Sequence, residues 1–139
     1  MANYYCSCRS SYFKIKDKEK FLAWAATVPN IDASIEETGK HEGLAVILGN
    51  NSDGGGWPGE RFNKETDQYE DLDFFGELSG HIAKGWSVIL LEAGAEKLRY
   101  IVAQAVVVDW RGKVKIIDAG EEARKVVKRW KTRTGGAED

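Results

Sequence analysis

The stretch from Leu98 to Trp110 constrains the chain more than any other. Read as a strand, it puts Tyr100, Val102, Val106 and Val108 on one face and Ile101, Ala103, Ala105 and Val107 on the other. A strand apolar on both faces is covered on both sides or sits centrally in a sheet. Two shorter strands flank it. Trp86 to Glu92 precedes it, and Lys113 to Asp118 follows a tight turn at Arg111-Gly112. Lys113-Val114-Lys115-Ile116 alternates cleanly, which predicts a half-exposed strand near an edge. Between Glu92 and Glu96, the run Ala93-Gly94-Ala95 reads as the connecting turn.

Around this block the chain alternates between strand and helix patterns. Tyr4 to Lys16 reads as one long strand, or as a strand broken near Arg9-Ser10-Ser11. Asp17 then offers an N-cap. Phe21, Trp24, Ala25 and Val28 fall on one helical face, and the helix must stop before Pro29. Ile31 to Glu37 and Gly43 to Leu48 form a hairpin joined around Gly39. Asn50 to Asp71, with its run of glycines at 54–56, reads as irregular. A second helix is predicted from Asp71 to Lys84, with Leu72, Phe75, Leu78 and Ile82 as its buried stripe and Gly85 as its cap. A third spans Glu121 to Lys131, with Ala123, Val126, Val127 and Trp130 on its apolar face.

The order β-α-β-β-(loop)-α-β-β-β-α, with short turns between consecutive strands, implies antiparallel pairing. The expectation is an α+β fold: one domain over residues 1–131, a mostly antiparallel sheet of five to six strands, three helices, and a flexible tail from 132 to 139. A chain of 139 residues suits a single domain. A net charge of -2 argues against a strongly basic, non-specific nucleic-acid binder. No apolar run reaches the ~18 residues of a membrane span, and no signal peptide is visible, so a cytoplasmic location is expected.

Chemistry-bearing motifs are sparse. Cys6 and Cys8 sit two apart on one strand face, a spacing that suits neither a disulfide nor zinc, and they read as small structural residues. The segment Asp53-Gly54-Gly55-Gly56-Trp57-Pro58-Gly59 lacks the Lys-Ser/Thr of a P-loop and lies outside a βαβ unit. His41, His81, Cys6, Glu92 and Glu96 are the catalytic candidates, and they form no readable nucleophile–base arrangement. Neither an enzyme nor a cofactor is expected.

Charge is more informative. Asp53, Glu60, Glu65, Asp67, Glu70, Asp71, Asp73 and Glu77 gather in one stretch. Arg111, Lys113, Lys115, Arg124, Lys125, Lys128, Arg129, Lys131 and Arg133 gather in another. Two solvated faces would account for this. An acidic surface can also fill a groove built for nucleic acid, because carboxylates present charge where phosphates would sit. Trp57 either anchors such a contact or tucks back onto the core.

The segments Asn3-Tyr4-Tyr5, Arg9-Ser10-Ser11-Tyr12-Phe13 with Ile15-Lys16-Asp17, Asp53-Gly54-Gly55-Gly56-Trp57-Pro58, and Glu92-Ala93-Gly94-Ala95-Glu96-Lys97-Leu98-Arg99-Tyr100 carry a resemblance. Together they resemble small accessory proteins of phages, plasmids and integrative elements, a group similar to anti-defence factors that include anti-CRISPR proteins. The resemblance spans roughly residues 3–118. It implies stoichiometric binding to a protein effector of a bacterial immune system, without direct nucleic-acid binding or chemistry. The contact residues expected from the acidic stretch are Trp57, Glu60, Asp67, Glu70, Asp71 and Asp73. Other functional classes stay open: a nucleotide-signal sponge lined by Tyr5 or Trp57, an immunity protein or antitoxin that plugs a toxin, and a nucleic-acid binder using the last helix.

Overall fold

The computed structural model describes residues 5–49, 56–96 and 100–134. The elements run β1 (Tyr5–Ser10), α1 (Lys18–Ala25), β2 (Ile31–Ile35), β3 (Ala45–Gly49), β4 (Glu60–Asn63), β5 (Gln68–Asp71), α2 (Phe74–Ser79), β6 (Ser87–Glu96), β7 (Tyr100–Asp109), β8 (Val114–Asp118) and α3 (Ala119–Arg129). Six strands form one sheet in the order β2-β3-β1-β6-β7-β8, and β4 pairs with β5 as a separate two-stranded unit. Every pairing in both sheets is antiparallel. The chain is therefore a single α+β domain.

One face of the six-stranded sheet holds the core. Ile47, Val88, Leu90, Val106 and Val108 point into it from the strands, and Phe21, Leu72, Phe74, Leu78 and Ile82 close it from above. Burying side chains of this size contributes ~1.5–3 kcal/mol each. The opposite face carries Leu48, Ile89, Leu91 and Ile117, all exposed. Their placement follows from register: Leu48, Arg9, Leu91, Ala105 and Ile117 lie side by side across five strands. Strand β7 is an interior strand between β6 and β8, but it lies next to the sheet edge rather than at the centre, and the described helices α1 and α2 cover only one of its apolar faces. Strand β8 lies at the sheet edge, as its alternation predicted, but it is not half-exposed: Val114 and Ile116, paired with the buried Val108 and Val106, are themselves 44% and 58% exposed because α1 and α2 do not reach the edge.

Strand β1 breaks where two serines succeed each other. The Ser10 hydroxyl accepts the buried Ile47 backbone N–H at 2.8 Å, and the Ser11 hydroxyl accepts the Ile89 N–H at 2.9 Å. The two hydroxyls stand in for ladder carbonyls on both sides of the strand, so the chain can leave the sheet without stranding buried donors. It then carries Phe13 into the core, bridging to Ala45, and Ile15 onto Ile82. Asp17 caps α1 by accepting from the Lys20 N–H at 3.0 Å, and Phe21, Ala25 and Val28 of the predicted stripe are buried.

Three further expectations need correction. The stretch from Asn50 to Asp71 is not wholly irregular, because it contains the β4–β5 hairpin. Helix α2 is only six residues long. It begins after the Asp73 cap rather than at Asp71, and it ends at Gly80. Phe74 is buried in place of Phe75, which is half-buried, while Gly85 takes its positive φ of 85° in the turn leading to β6. Ala93-Gly94-Ala95 is not a turn, since it lies within β6 paired to both β1 and β7. Small residues there allow strands to run on with little side-chain bulk. The connection between β6 and β7 falls at residues 97–99, which lie outside the described residues, as do Asn3, Tyr4, residues 50–55 and the tail from 135. The expected placements of Asp53, Gly54 and Gly55 therefore lie outside them too, as do the side chains of Tyr5, Cys6 and Glu96.

Candidate functional site

The β4–β5 hairpin has two unlike faces. Its register places Glu60 opposite Asp71, Arg61 opposite Glu70, Phe62 opposite Tyr69 and Asn63 opposite Gln68. Cross-strand partners share a face and alternate along each strand. Glu60, Phe62, Tyr69 and Asp71 thus share one face, and Arg61, Asn63, Gln68 and Glu70 the other.

The second face fastens the hairpin to the domain. Arg61 pairs with Glu77 of α2 at 2.8 Å and donates to the Thr27 carbonyl at 3.2 Å and the Thr27 hydroxyl at 3.1 Å. The same Glu77 Oε1 accepts the Trp24 indole N–H at 2.8 Å. Hydrogen bonding from Arg61 holds the Glu77 carboxyl below its usual range. Burial opposes that shift, and the Trp24 bond and the Arg61 charge assist it. Behind Glu77, His81 packs with Trp24 and Phe21, at ring separations of 5.0 and 6.1 Å. Burial lowers the His81 pKa, and the nearby Lys16 charge lowers it further, with Glu77 pulling the other way. One guanidinium therefore joins the hairpin to α2 and to the turn that follows α1.

The first face is open. Phe62 and Tyr69 meet edge to face at 5.2 Å, yet remain 42% and 70% exposed. Beside them the exposed Glu60 and Asp71 stand directly opposite each other. Like charges in that position are destabilising. The arrangement is an acidic pair next to an aromatic pair, both facing solvent.

The six residues expected to act together therefore divide. Glu60 and Asp71 lie together on the open face. Glu70 lies on the other face and accepts from the Asn63 side-chain amide at 3.1 Å. Asp67 sits in the hairpin turn with φ 56°, a conformation aspartate tolerates better than most residues. Asp73 caps α2, accepting from the Gly76 N–H at 3.1 Å, and a Cβ at Gly76 would collide with its carboxylate. Trp57 takes the inward alternative. It is half-buried, stacks on Phe74 at 5.7 Å and packs against the core, with its indole Nε1 buried and unpartnered. Phe62 and Tyr69 supply the exposed aromatic surface instead. The sequence signal for them was two aromatics bracketing a short polar run, Asn63 to Gln68, which is a hairpin pattern.

The remaining chemical candidates are dispersed. His41 stacks on Tyr12 at 4.0 Å, whereas His81 packs with Phe21 and Trp24. Cys8 is buried against Gly49, and Glu92 lies against Gly56. Among the described residues no three His, Cys, Asp or Glu side chains group as a metal site. No described helix is long and apolar enough to cross a membrane. The chain matches no protein-family model, no curated protein and no solved structure.

Proposed function

We propose that this protein acts by occupying the surface of another protein, with the open face of the β4–β5 hairpin as its contact. The partner class that fits is a nucleic-acid-handling effector of a bacterial defence system, blocked at its basic groove. The resemblance to anti-defence proteins implies the same partner. The observation that carries the reading is the opposed Glu60–Asp71 pair beside the exposed Phe62–Tyr69 pair. A like-charge pair costs stability in the free protein, and a guanidinium or ammonium placed between the carboxylates relieves that cost. Tyr and Phe next to it supply the apolar contact area that hot spots commonly use. Arg61 and its ties to Glu77 and Thr27 hold the hairpin in place, which lowers the ordering cost of binding.

The test is a phage-plating assay on bacteria carrying defined defence systems, with and without the protein. The expected result is that wild-type protein restores plating against at least one system. Glu60→Lys with Asp71→Lys should abolish that restoration, and Tyr69→Ala should reduce it by weakening the contact about tenfold, ~1.4 kcal/mol of binding. Equal restoration by the wild-type and charge-reversed proteins would remove the hairpin from the mechanism.

A further inference from the structure

Helix α3 stands out from the other helices because none of its residues is buried. Projected at 100° per residue, Ala119, Ala123, Val126, Val127 and Trp130 form one narrow stripe. Val126 and Val127 are half-buried, Ala123 is exposed, and Trp130 is 71% exposed. Next to the start of α3, the sheet face opposite the core forms an apolar trough of about 400 Å³. Small side chains, Ser7, Ala93, Ala103, Ala105 and Ala119, line it together with Leu91 and Arg9. One chain thus carries a bulky exposed knob at the far end of the helix and a shallow apolar hole at its near end.

Charge on the helix tells which partner fits. One flank of the stripe carries Glu122 and, two turns on, Arg129. In an antiparallel pair of identical helices related by a two-fold axis, like flanks face each other with reversed order. Glu122 of each copy then stands opposite Arg129 of the other, twice. The same register brings Trp130 level with the partner's residue 121, about 3 Å along the helix from its residue 119 at 1.5 Å per residue. Glu122 also pairs with Lys125 within its own helix at 3.1 Å.

We infer that a second copy of this chain is the occupant. The α3 helices pair antiparallel across a two-fold axis, and Trp130 of each protomer enters the other's trough. The interface is isologous, so it closes at a dimer and does not propagate. It uses the sheet face opposite α1, α2 and the Arg61 clamp, so each protomer keeps its hairpin free. The inference does not rest on the hairpin's proposed role.

Sedimentation velocity of the full chain over a range of concentrations and at low salt tests this. The expected species is twice the 15.5 kDa chain mass. Trp130→Ala should weaken the dimer at least tenfold while leaving the far-ultraviolet spectrum of the folded chain in place, since the side chain is exposed. Glu122→Arg alone and Arg129→Glu alone should each weaken it, and the two together should restore it. A fold-perturbing change would not be rescued in this reciprocal way. A chain that stays monomeric at every concentration overturns the inference. So does a dimer indifferent to Trp130 and to the charge exchange, and so does a monomer whose α3 instead binds anionic phospholipid vesicles in a flotation assay.

Discussion

Leu90 and Leu91 are neighbours on β6 and point to opposite faces of the sheet. Leu90 is fully buried, whereas Leu91 is 51% exposed. The same contrast runs across the sheet, with Ile47, Val88, Val106 and Val108 on one side and Leu48, Ile89, Ala105 and Ile117 on the other. The side chains are similar in chemistry. What differs is the cover: α1, α2 and the Phe13 segment all pack on the same face. Apolar alternation therefore states that a face wants cover, and the topology states whether this chain supplies it.

Three measurements break or sharpen the contrast. The largest effect is expected from Leu90→Ala, which leaves a cavity among Val88, Val106 and Leu78 and should cost ~2–5 kcal/mol in urea unfolding. Leu91→Ala, one residue away, should cost less than about 1 kcal/mol in the monomer, because most of its surface already meets water. Equal costs would mean that both faces are packed alike.

A smaller loss is expected from Ser10→Ala. It removes the acceptor of the buried Ile47 N–H, and an unsatisfied buried donor costs about 1–3 kcal/mol. Ser11→Ala removes the corresponding acceptor of the Ile89 N–H at the exposed side, where water can replace it, and should cost less. Amide exchange at Ile47 and Ile89 reads the two sites separately.

The smallest effect is the pH dependence of the covered side. Both Glu77 and His81 have folded pKa values below their ordinary values of 4.5 and 6.5. A depressed folded pKa means that the unfolded chain takes up the proton first, so stability falls as pH falls. The contribution of His81 is fully present above pH 6.5 and is lost below it. That of Glu77 is present above pH 4.5 and is lost as pH falls through its lower folded value. The urea midpoint should therefore decline in two steps, and His81→Phe should remove the upper one. A flat profile from pH 7 to pH 5 would show that His81 is solvated in the fold.

Much of the fold was legible because it rests on local signals. Asp17 and the i, i+3, i+4, i+7 spacing of Phe21, Trp24, Ala25 and Val28 are readable in one dimension, and so is the alternation of Lys113 to Ile116 at an edge. The misses share a cause. Ala93-Gly94-Ala95 has the composition of a turn, yet three strands pass through that point and small side chains serve the pairing. The β4–β5 hairpin hid beside a glycine-rich run that dominated the reading of its surroundings. At the site, acidity located the hairpin but could not sort its members. Which carboxylates cap a helix, bond an amide or face solvent depends on register and on Gly76, and neither is a matter of charge. Trp57 was undecided for a related reason, since only the position of Phe74 turns its ring inward.

The serine-terminated first strand has a kinetic corollary. Strand β1 lies between β3 and β6, with Cys8 paired to Gly49 on one side and Tyr5 to Ala95 on the other. On a ribosome β1 must wait for partners that emerge later, and loop-closure entropy has to be met before those contacts form. Folding should therefore be slow for a chain of this length, with the β2–β3 and β6–β7–β8 units assembling early and the N-terminal strand joining them in the closing step.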